Sequence, residues 1–160
     1  DAIDLDRNRN VPVRDAAGNI IDRVHAPSLF HSYCSAPHVI CVSSTRRGDV
    51  PASYTNYGRS VIDVSAPGGD DGDWVYALCP LTSLVFFCED GYYPLGVAGT
   101  SQAAPHVAGL AALAVEDVGR SPAQVRNRIR NSADAVDGNG NSPYHGKGRI
   151  NVARMVGATP

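Results

Sequence analysis

Two kinds of hydrophobic pattern run along the 160-residue chain. Two short segments, 39–45 (VICVSST) and 61–68 (VIDVSAPG), are continuous apolar runs rich in β-branched residues, which is typical of strands buried on both faces. Two later segments have helical character, one from about Ser101 to Asp117 and one ending near Ser132. Strands that alternate with helices predict an α/β fold, here part of a doubly wound, mostly parallel sheet.

The start of the second helix is well marked by the tetrapeptide S-P-A-Q. Ser121 is predicted as the N-cap, Pro122 takes the first helical position, and Gln124 completes a capping box. The remaining segments predict the end of a helix at 2–9, a strand and a small-residue turn at 11–19, a polar loop at 20–38 and a short helix in R-I-N-V-A-R-M-V-G.

Length and charge limit the function classes. A chain of 160 residues suits one domain, within which residues 69–94 are expected to form a surface insertion. The balance of 14 Lys and Arg against 16 Asp and Glu gives a net charge of -2, so no nucleic-acid partner is expected. No stretch approaches the ~18 apolar residues of a membrane span, so no membrane partner is expected either.

The four cysteines form two sequence-local pairs. An even number in close pairs predicts the disulfides Cys34–Cys41 and Cys79–Cys88, and with them a secreted or periplasmic location. The alternative is a zinc site built from the histidines and cysteines of H-S-Y-C-S-A-P-H-V-I-C. That alternative is disfavoured because Cys41 lies in a predicted buried strand rather than in a knuckle turn, so no metal ligand is assigned.

The clearest candidate for chemistry is Ser101 in G-T-S-Q-A-A-P-H-V-A-G, at the predicted start of a helix. A helix N-terminus offers free N–H groups and a positive dipole end, which suit a developing negative charge. The structural alternative is that Ser101 only caps the helix. His106 is interpreted as a packed, hydrogen-bonded core histidine, because the helix carries its side chain away from the serine. The lipase pattern G-x-S-x-G is not met, since Ala103 replaces its second glycine, which disfavours an unrelated esterase.

Several stretches together resemble the subtilisin-like serine peptidases, or subtilases. The serine motif is similar to the nucleophile motif of that family, with Gln102 where methionine is usual. A-A-G-N at 16–19 resembles the segment that supplies an oxyanion-hole asparagine. The segment 36–70 resembles the strand, turn and strand that lead to an A-P-G loop, and 146–157 resembles the closing helix.

The resemblance implies a serine endopeptidase that acts on peptide or protein substrates. Ser101 would be the nucleophile, and its own N–H together with the Asn19 side chain would form the oxyanion hole. Ala16, Ala17 and Gly18, with the loop near 35–38, would line part of the substrate pocket. No cofactor is required, and calcium is left unassigned because the carboxylates of G-G-D-D-G-D lack the spacing of an EF-hand loop.

Subtilases order their triad as Asp, His and Ser along the chain. The sequence contains no stretch like H-G-T-H-V-A-G, and only 18 residues precede Asn19. We therefore interpret residues 1–160 as the C-terminal portion of a peptidase domain, with the missing N-terminal half as its partner and no activity of its own. Arg14 and Asp15 stand where the family has an apolar strand, so they are expected to pair or to reach solvent. The alternative function is an inactive pseudopeptidase or binding module.

Overall fold

The computed structural model describes residues 2–5, 10–25, 33–79, 94–138 and 140–158. Its strands are β1 (Asn10–Arg14), β2 (Ile20–His25), β3 (Val42–Arg46), β4 (Val50–Pro51), β5 (Val64–Pro67), β6 (Val75–Leu78) and β7 (Pro94–Val97). Its α-helices are α1 (Thr100–Val118), α2 (Pro122–Ser132) and α3 (Val152–Met155). None of the helices in these ranges is long and apolar enough to cross a membrane.

The centre of the fold is a three-stranded sheet in the order β4-β3-β5. β3 and β5 are parallel, with Val42 opposite Val64 and Thr45 opposite Pro67. Their inner residues are almost wholly buried, as the continuous apolar runs predict. The other strand pairs in the described ranges, β1–β2, β3–β4 and β6–β7, are antiparallel.

Helix α1 packs on β3 and β5 through one buried stripe. Ala103, Val107, Leu110 and Ala114 recur at helical spacing and are all at most 3% exposed. The small side chain of Ala103 lets the first turn of α1 approach the sheet closely. Further core residues come from α2 and the C-terminal segment, namely Val125, Ile129, Ile150 and Met155. The α/β fold class is confirmed.

Two predicted elements are wrong in their described parts. Residues 2–5 are not the end of a helix, because their backbone pairs with a neighbouring segment: the Leu5 N–H donates to the Tyr57 carbonyl at 2.6 Å, and the Tyr57 N–H donates to the Ile3 carbonyl at 3.0 Å. Residues 6–9 lie outside the described ranges. The predicted loop 20–38 begins instead with strand β2, which returns along β1 as a hairpin.

The helices match the predicted ranges closely, with one local exception. Ser121 is the N-cap of α2 and Pro122 its first residue, but the Ser121 side chain makes no capping hydrogen bond. The predicted capping box is therefore wrong. The predicted surface insertion at 69–94 stays a prediction; its described part contains β6, which pairs with β7 where the segment ends.

Candidate active site

Ser101 is the second residue of α1 and is exposed. An α-helix leaves its first N–H groups without intrahelical acceptors. The N–H groups of Gln102 and Ala103 donate to the Gly99 carbonyl, at 3.0 Å and 3.4 Å. Within the described part of the chain nothing accepts from the Ser101 N–H, so this donor is free for an oxyanion. Pro105 has no N–H, so the Ser101 carbonyl also lacks its usual helical donor.

The residues before Ser101 are held at the carboxyl ends of the two parallel strands. The Gly99 N–H donates to the Gly68 carbonyl at 2.8 Å, and the N–H groups of Gly68 and Gly69 donate to the Thr45 carbonyl at 2.9 Å and 3.0 Å. Gly68 has no room for a side chain, since a Cβ there would lie 2.1 Å from Ser44 Oγ. The A-P-G segment that follows β5 therefore fixes the entry of the chain into α1.

Ser101 lines a cleft of about 410 Å³, which we call the Ser101 cleft. Strands β6 and β7 form one wall, and the first two turns of α1 form the other. The lining is mostly apolar with a few polar side chains, which is typical of binding clefts. Its residues are Val75, Tyr76, Ala77, Val97, Ser101, Gln102, Pro105 and His106.

The interpretation of His106 as a core residue is wrong, because its side chain is exposed and lines the Ser101 cleft. The prediction that it is hydrogen-bonded is confirmed. Its Nδ1 lies 2.7 Å from the Gln102 carbonyl. A carbonyl can only accept, so Nδ1 carries the proton and donates. The buried stripe of α1 passes through Ala103 and Val107 and leaves His106 on the side away from the sheet.

Asn19 ends the turn between β1 and β2 and is exposed. Asp15 organises this turn: its carboxylate accepts from the N–H groups of Ala17 and Asn19, both at 2.9 Å, and from Asn19 Nδ2 at 3.1 Å. The hydrogen bond from the Asn19 side chain is the main reason that the pKa of Asp15 is lowered. Since the amide has two N–H groups, one remains free for another acceptor.

The structure places Asn19 and Ser101 on separate units. β1 and β2 form their own sheet, and among the described residues no hydrogen bond or strand pairing joins this hairpin to α1. The predicted substrate residues Ala16, Ala17 and Gly18 are exposed in the same turn and do not line the Ser101 cleft. The roles assigned to these four residues stay predictions.

The charged pair before this turn reaches solvent, as expected. Arg14 is exposed, and its Nη1 donates to the Gly18 carbonyl at 2.7 Å. The strand is also distorted here, because the pairing register of β1 with β2 shifts between Val13 and Arg14. The two charges therefore stabilise the turn locally and do not occupy an apolar site.

The structure contains the predicted disulfide Cys34–Cys41. With both sulfurs in this bond, the alternative zinc site loses two of its ligands. Cys79 is also disulfide-bonded and is buried. Its predicted partner Cys88 lies outside the described ranges, so this pairing stays a prediction.

No group of three or more His, Cys, Asp or Glu side chains in the described ranges could hold a metal ion. Two of the three carboxylates in the G-G-D-D-G-D segment make loop contacts instead. Asp70 accepts from the N–H and hydroxyl of Ser53 at 2.7 Å and 2.9 Å, and Asp73 accepts from the N–H of Arg47. Calcium therefore stays unassigned.

Tyr54 is the residue at this site that the sequence did not indicate. Its hydroxyl contacts the carbonyls of Gly68 and Gly69 and the hydroxyl of Ser44. Nothing in the run A-S-Y-T-N-Y distinguishes this tyrosine from an ordinary loop aromatic, because its partners lie 10 to 15 residues away in sequence.

Comparisons with known proteins identify the family of this chain. The sequence model of the subtilase family matches residues 2–151. The chain is 36% identical over 155 residues to thermitase from Thermoactinomyces vulgaris, covering 97% of this chain and 47% of thermitase. The crystal structure of a lanthipeptide protease superposes with a TM-score of 0.62 at 29% identity, covering 84% of this chain and 44% of that one.

A protease from Pseudoalteromonas arctica superposes with a TM-score of 0.63 at 29% identity, covering 77% of this chain and 36% of that one. The chain thus spans about half the length of thermitase and less of the two structural relatives. The family match extends over nearly the whole chain and includes the serine motif at the start of α1. The chain belongs to the subtilase family of serine peptidases.

Proposed function

We propose that this chain is the C-terminal portion of the catalytic domain of a serine endopeptidase, with Ser101 as the nucleophile. The observation that carries the proposal is the placement of Ser101: it is exposed at the start of α1, no described residue accepts from its N–H, and it lines a mostly apolar cleft. Membership of the subtilase family supports the same assignment.

In this proposal Ser101 Oγ attacks the carbonyl carbon of a peptide bond. The hydroxyl proton passes to a general base and then to the leaving amine, and the products are an acyl-enzyme and a shortened peptide. The Ser101 N–H stabilises the oxyanion, and we assign the second donor to the free N–H of Asn19 Nδ2. Two donors act together only when each lies about 2.7–3.1 Å from the oxyanion, so the hairpin that carries Asn19 must dock beside α1 in the complete domain.

The general base is not among the histidine side chains that the structure describes. Of the three histidine side chains described there, His38 and His106 are exposed, and His145 is buried with its Nδ1 2.9 Å from Ser65 Oγ. None of them hydrogen-bonds to Ser101. An upstream half that carries the Asp and His of the triad would supply the base.

The outer face of α1 supports an upstream half as partner. This face turns Ala104, Ala108 and Ala112 away from the sheet, and Leu113 beside them is 40% exposed. This face leaves apolar surface of α1 in contact with water, and a second layer of structure packed on it would bury that surface.

We propose a secreted or periplasmic location for the protein, because the disulfide Cys34–Cys41 is suited to an oxidising compartment.

The second candidate function is an inactive pseudopeptidase that binds peptides or proteins. The favouring observation is that Asp15 holds the Asn19 side chain within its own turn. An asparagine fixed in this way would be unable to reach an oxyanion beside Ser101 unless the hairpin moves as a unit.

Hydrolysis assays on three proteins test the proposal: this chain alone, the complete protein from the parent reading frame, and the complete protein with Ser101→Ala. The complete protein is expected to cleave a denatured protein substrate, and the other two are not. Cleavage that survives Ser101→Ala contradicts the assignment of the nucleophile. A complete protein that binds peptide without cleaving it supports the pseudopeptidase.

A further inference from the structure

The hydroxyl of Tyr54 lies where three parts of the active-site scaffold meet. It donates to the Gly69 carbonyl at 2.6 Å, and the Gly68 carbonyl is 3.2 Å away. Ser44 Oγ is 2.8 Å away on β3. Because the phenol has one proton and donates it to Gly69, the Ser44 hydroxyl donates to the Tyr54 oxygen.

Resting on the proposed function, we propose that Tyr54 is a positioning residue for Ser101. Its hydroxyl fixes the Gly68–Gly69 segment, and this segment in turn holds Gly99 in front of the nucleophile.

The path from Tyr54 to Ser101 consists of short hydrogen bonds. The Gly68 carbonyl accepts from the Gly99 N–H at 2.8 Å, and the Gly99 carbonyl accepts from the Gln102 N–H at 3.0 Å, on the far side of Ser101. The three glycines have no side chains with which to pack, and glycine backbone is the most mobile in an unrestrained chain. Hydrogen bonds must therefore supply the order that packing supplies elsewhere.

The surroundings make the Tyr54 hydroxyl hard to replace. Ser44, Gly68 and Gly69 are all buried, so water does not readily take over a lost partner. Burial raises the pKa of Tyr54, and the negative charge of Asp70 adds to the rise, while the hydrogen bond from Ser44 opposes it. The phenol thus keeps its proton, and remains a donor, throughout the neutral range.

The consequence for catalysis is geometric. An attacking oxygen must reach the carbonyl carbon in a narrow range of positions, and small displacements remote from the chemistry lower the rate strongly. Loss of the Tyr54 hydroxyl frees the Gly68–Gly69 segment to shift, and Gly99 and Ser101 shift with it.

The variant Tyr54→Phe tests this, with Tyr57→Phe as matched control. Tyr57 is also half-buried in the same loop, but its ring packs on Tyr144, with centroids 4.7 Å apart, and no hydrogen bond among the described residues joins it to Gly68, Gly69 or Gly99. Hydrogen exchange in this chain is the first measurement. Tyr54→Phe is expected to speed exchange of the Gly99 amide about tenfold, the size of one lost hydrogen bond, while Tyr57→Phe leaves that amide unchanged.

The second measurement uses the complete protein. Tyr54→Phe is expected to lower kcat about tenfold with KM nearly unchanged, at a temperature well below the thermal midpoints of both proteins, so that a loss of global stability does not account for the effect. Exchange at Gly99 equal to wild type in Tyr54→Phe overturns the proposal. If the wild-type complete protein has no activity, the proposed function fails, and the exchange measurement still decides whether Tyr54 orders Gly99.

Discussion

Buried Asp63 and half-buried Arg126 form an ion pair in which Asp63 Oδ1 lies 2.8 Å from Arg126 Nη2. The other carboxylate oxygen accepts from the Cys41 N–H at 3.0 Å, and Arg130 adds a second cation at 3.3 Å from Oδ1. Asp63 is only 2% exposed. The pair therefore ties the residue before β5 both to the disulfide segment and to helix α2.

Replacing Asp63 by Asn keeps the shape of the side chain but removes the charge between the two arginines. We expect a loss of about 2 kcal/mol in the free energy of unfolding, because the buried Asp63 loses its charge-assisted hydrogen bonds, while the partly exposed arginines keep some of their hydration. Urea denaturation measures the loss. Arg126→Met is the matched control and should cost less, since Arg130 remains; an equal or larger loss in Arg126→Met would contradict the view that the two arginines share the carboxylate.

The Cys34–Cys41 disulfide closes a loop with a sequence separation of 7. For a loop this short the chain-entropy relation gives a contribution of about 2.5 kcal/mol. The double variant Cys34→Ala/Cys41→Ala should lower the unfolding free energy by this amount with the slope against denaturant little changed. A variant as stable as wild type would show that the loop is already restricted in the unfolded chain.

Gly68 is expected to tolerate no side chain. In Gly68→Ala the new Cβ would lie 2.1 Å from Ser44 Oγ and 2.6 Å from the Gly99 carbonyl, so the segment before Ser101 must move. The thermal midpoint should fall clearly. Gly109→Ala in α1 is the control, because its Cβ meets nothing within 4 Å, and it should instead stabilise by about 0.5–1 kcal/mol. A harmless Gly68→Ala would show that the A-P-G segment is not fixed as described.

His145 makes stability depend on pH in the mildly acidic range. It is 3% exposed, with its Nδ1 2.9 Å from Ser65 Oγ. Burial lowers the pKa of His145, and the negative charges of Asp137 and Asp49 offset only part of this effect. The folded state therefore prefers the neutral ring, whereas the unfolded chain takes up a proton near the ordinary pKa of about 6.5, so stability is lost as pH falls below that value.

Thermal midpoints at pH 7 and pH 5 measure this dependence for wild type and His145→Asn. The wild-type midpoint should fall between the two values, and the fall should be smaller in the variant. Hydrogen bonds lower the pKa of Asp15 and of Asp70, so protonation of these carboxylates affects stability only below about pH 4. They therefore do not contribute to the change in thermal midpoint between pH 7 and pH 5. If the thermal midpoint falls equally in wild type and in His145→Asn, His145 is not the source of the pH dependence.

The parts of the fold that the sequence predicts are those set by burial along a single segment. β3, β5 and α1 have continuous or helical apolar patterns, because each is covered by the same core. The sequence does not predict strand β2, because its hairpin depends on hydrogen bonds that the Asp15 side chain accepts within the turn.

Contacts between residues that are distant in sequence also cannot be predicted from the sequence pattern. Tyr54 meets the Gly69 carbonyl 15 residues away, and Ser65 meets His145 80 residues away. Only the folded backbone brings these groups together. For the candidate site, the serine motif placed Ser101 at the start of a helix, whereas the exposure of His106 depends on which side of α1 meets the sheet.

Covalent labelling of Ser101 by a fluorophosphonate tests the central claim most directly. The probe is applied to this chain alone, to the complete protein and to the complete protein with Ser101→Ala, and peptide mass spectrometry locates the adduct. We expect an adduct on Ser101 in the complete protein only, because the serine needs a base that the described side chains do not supply. Strong labelling of this chain alone would contradict the need for an upstream half, and an adduct on another residue of the complete protein would contradict Ser101 as the nucleophile.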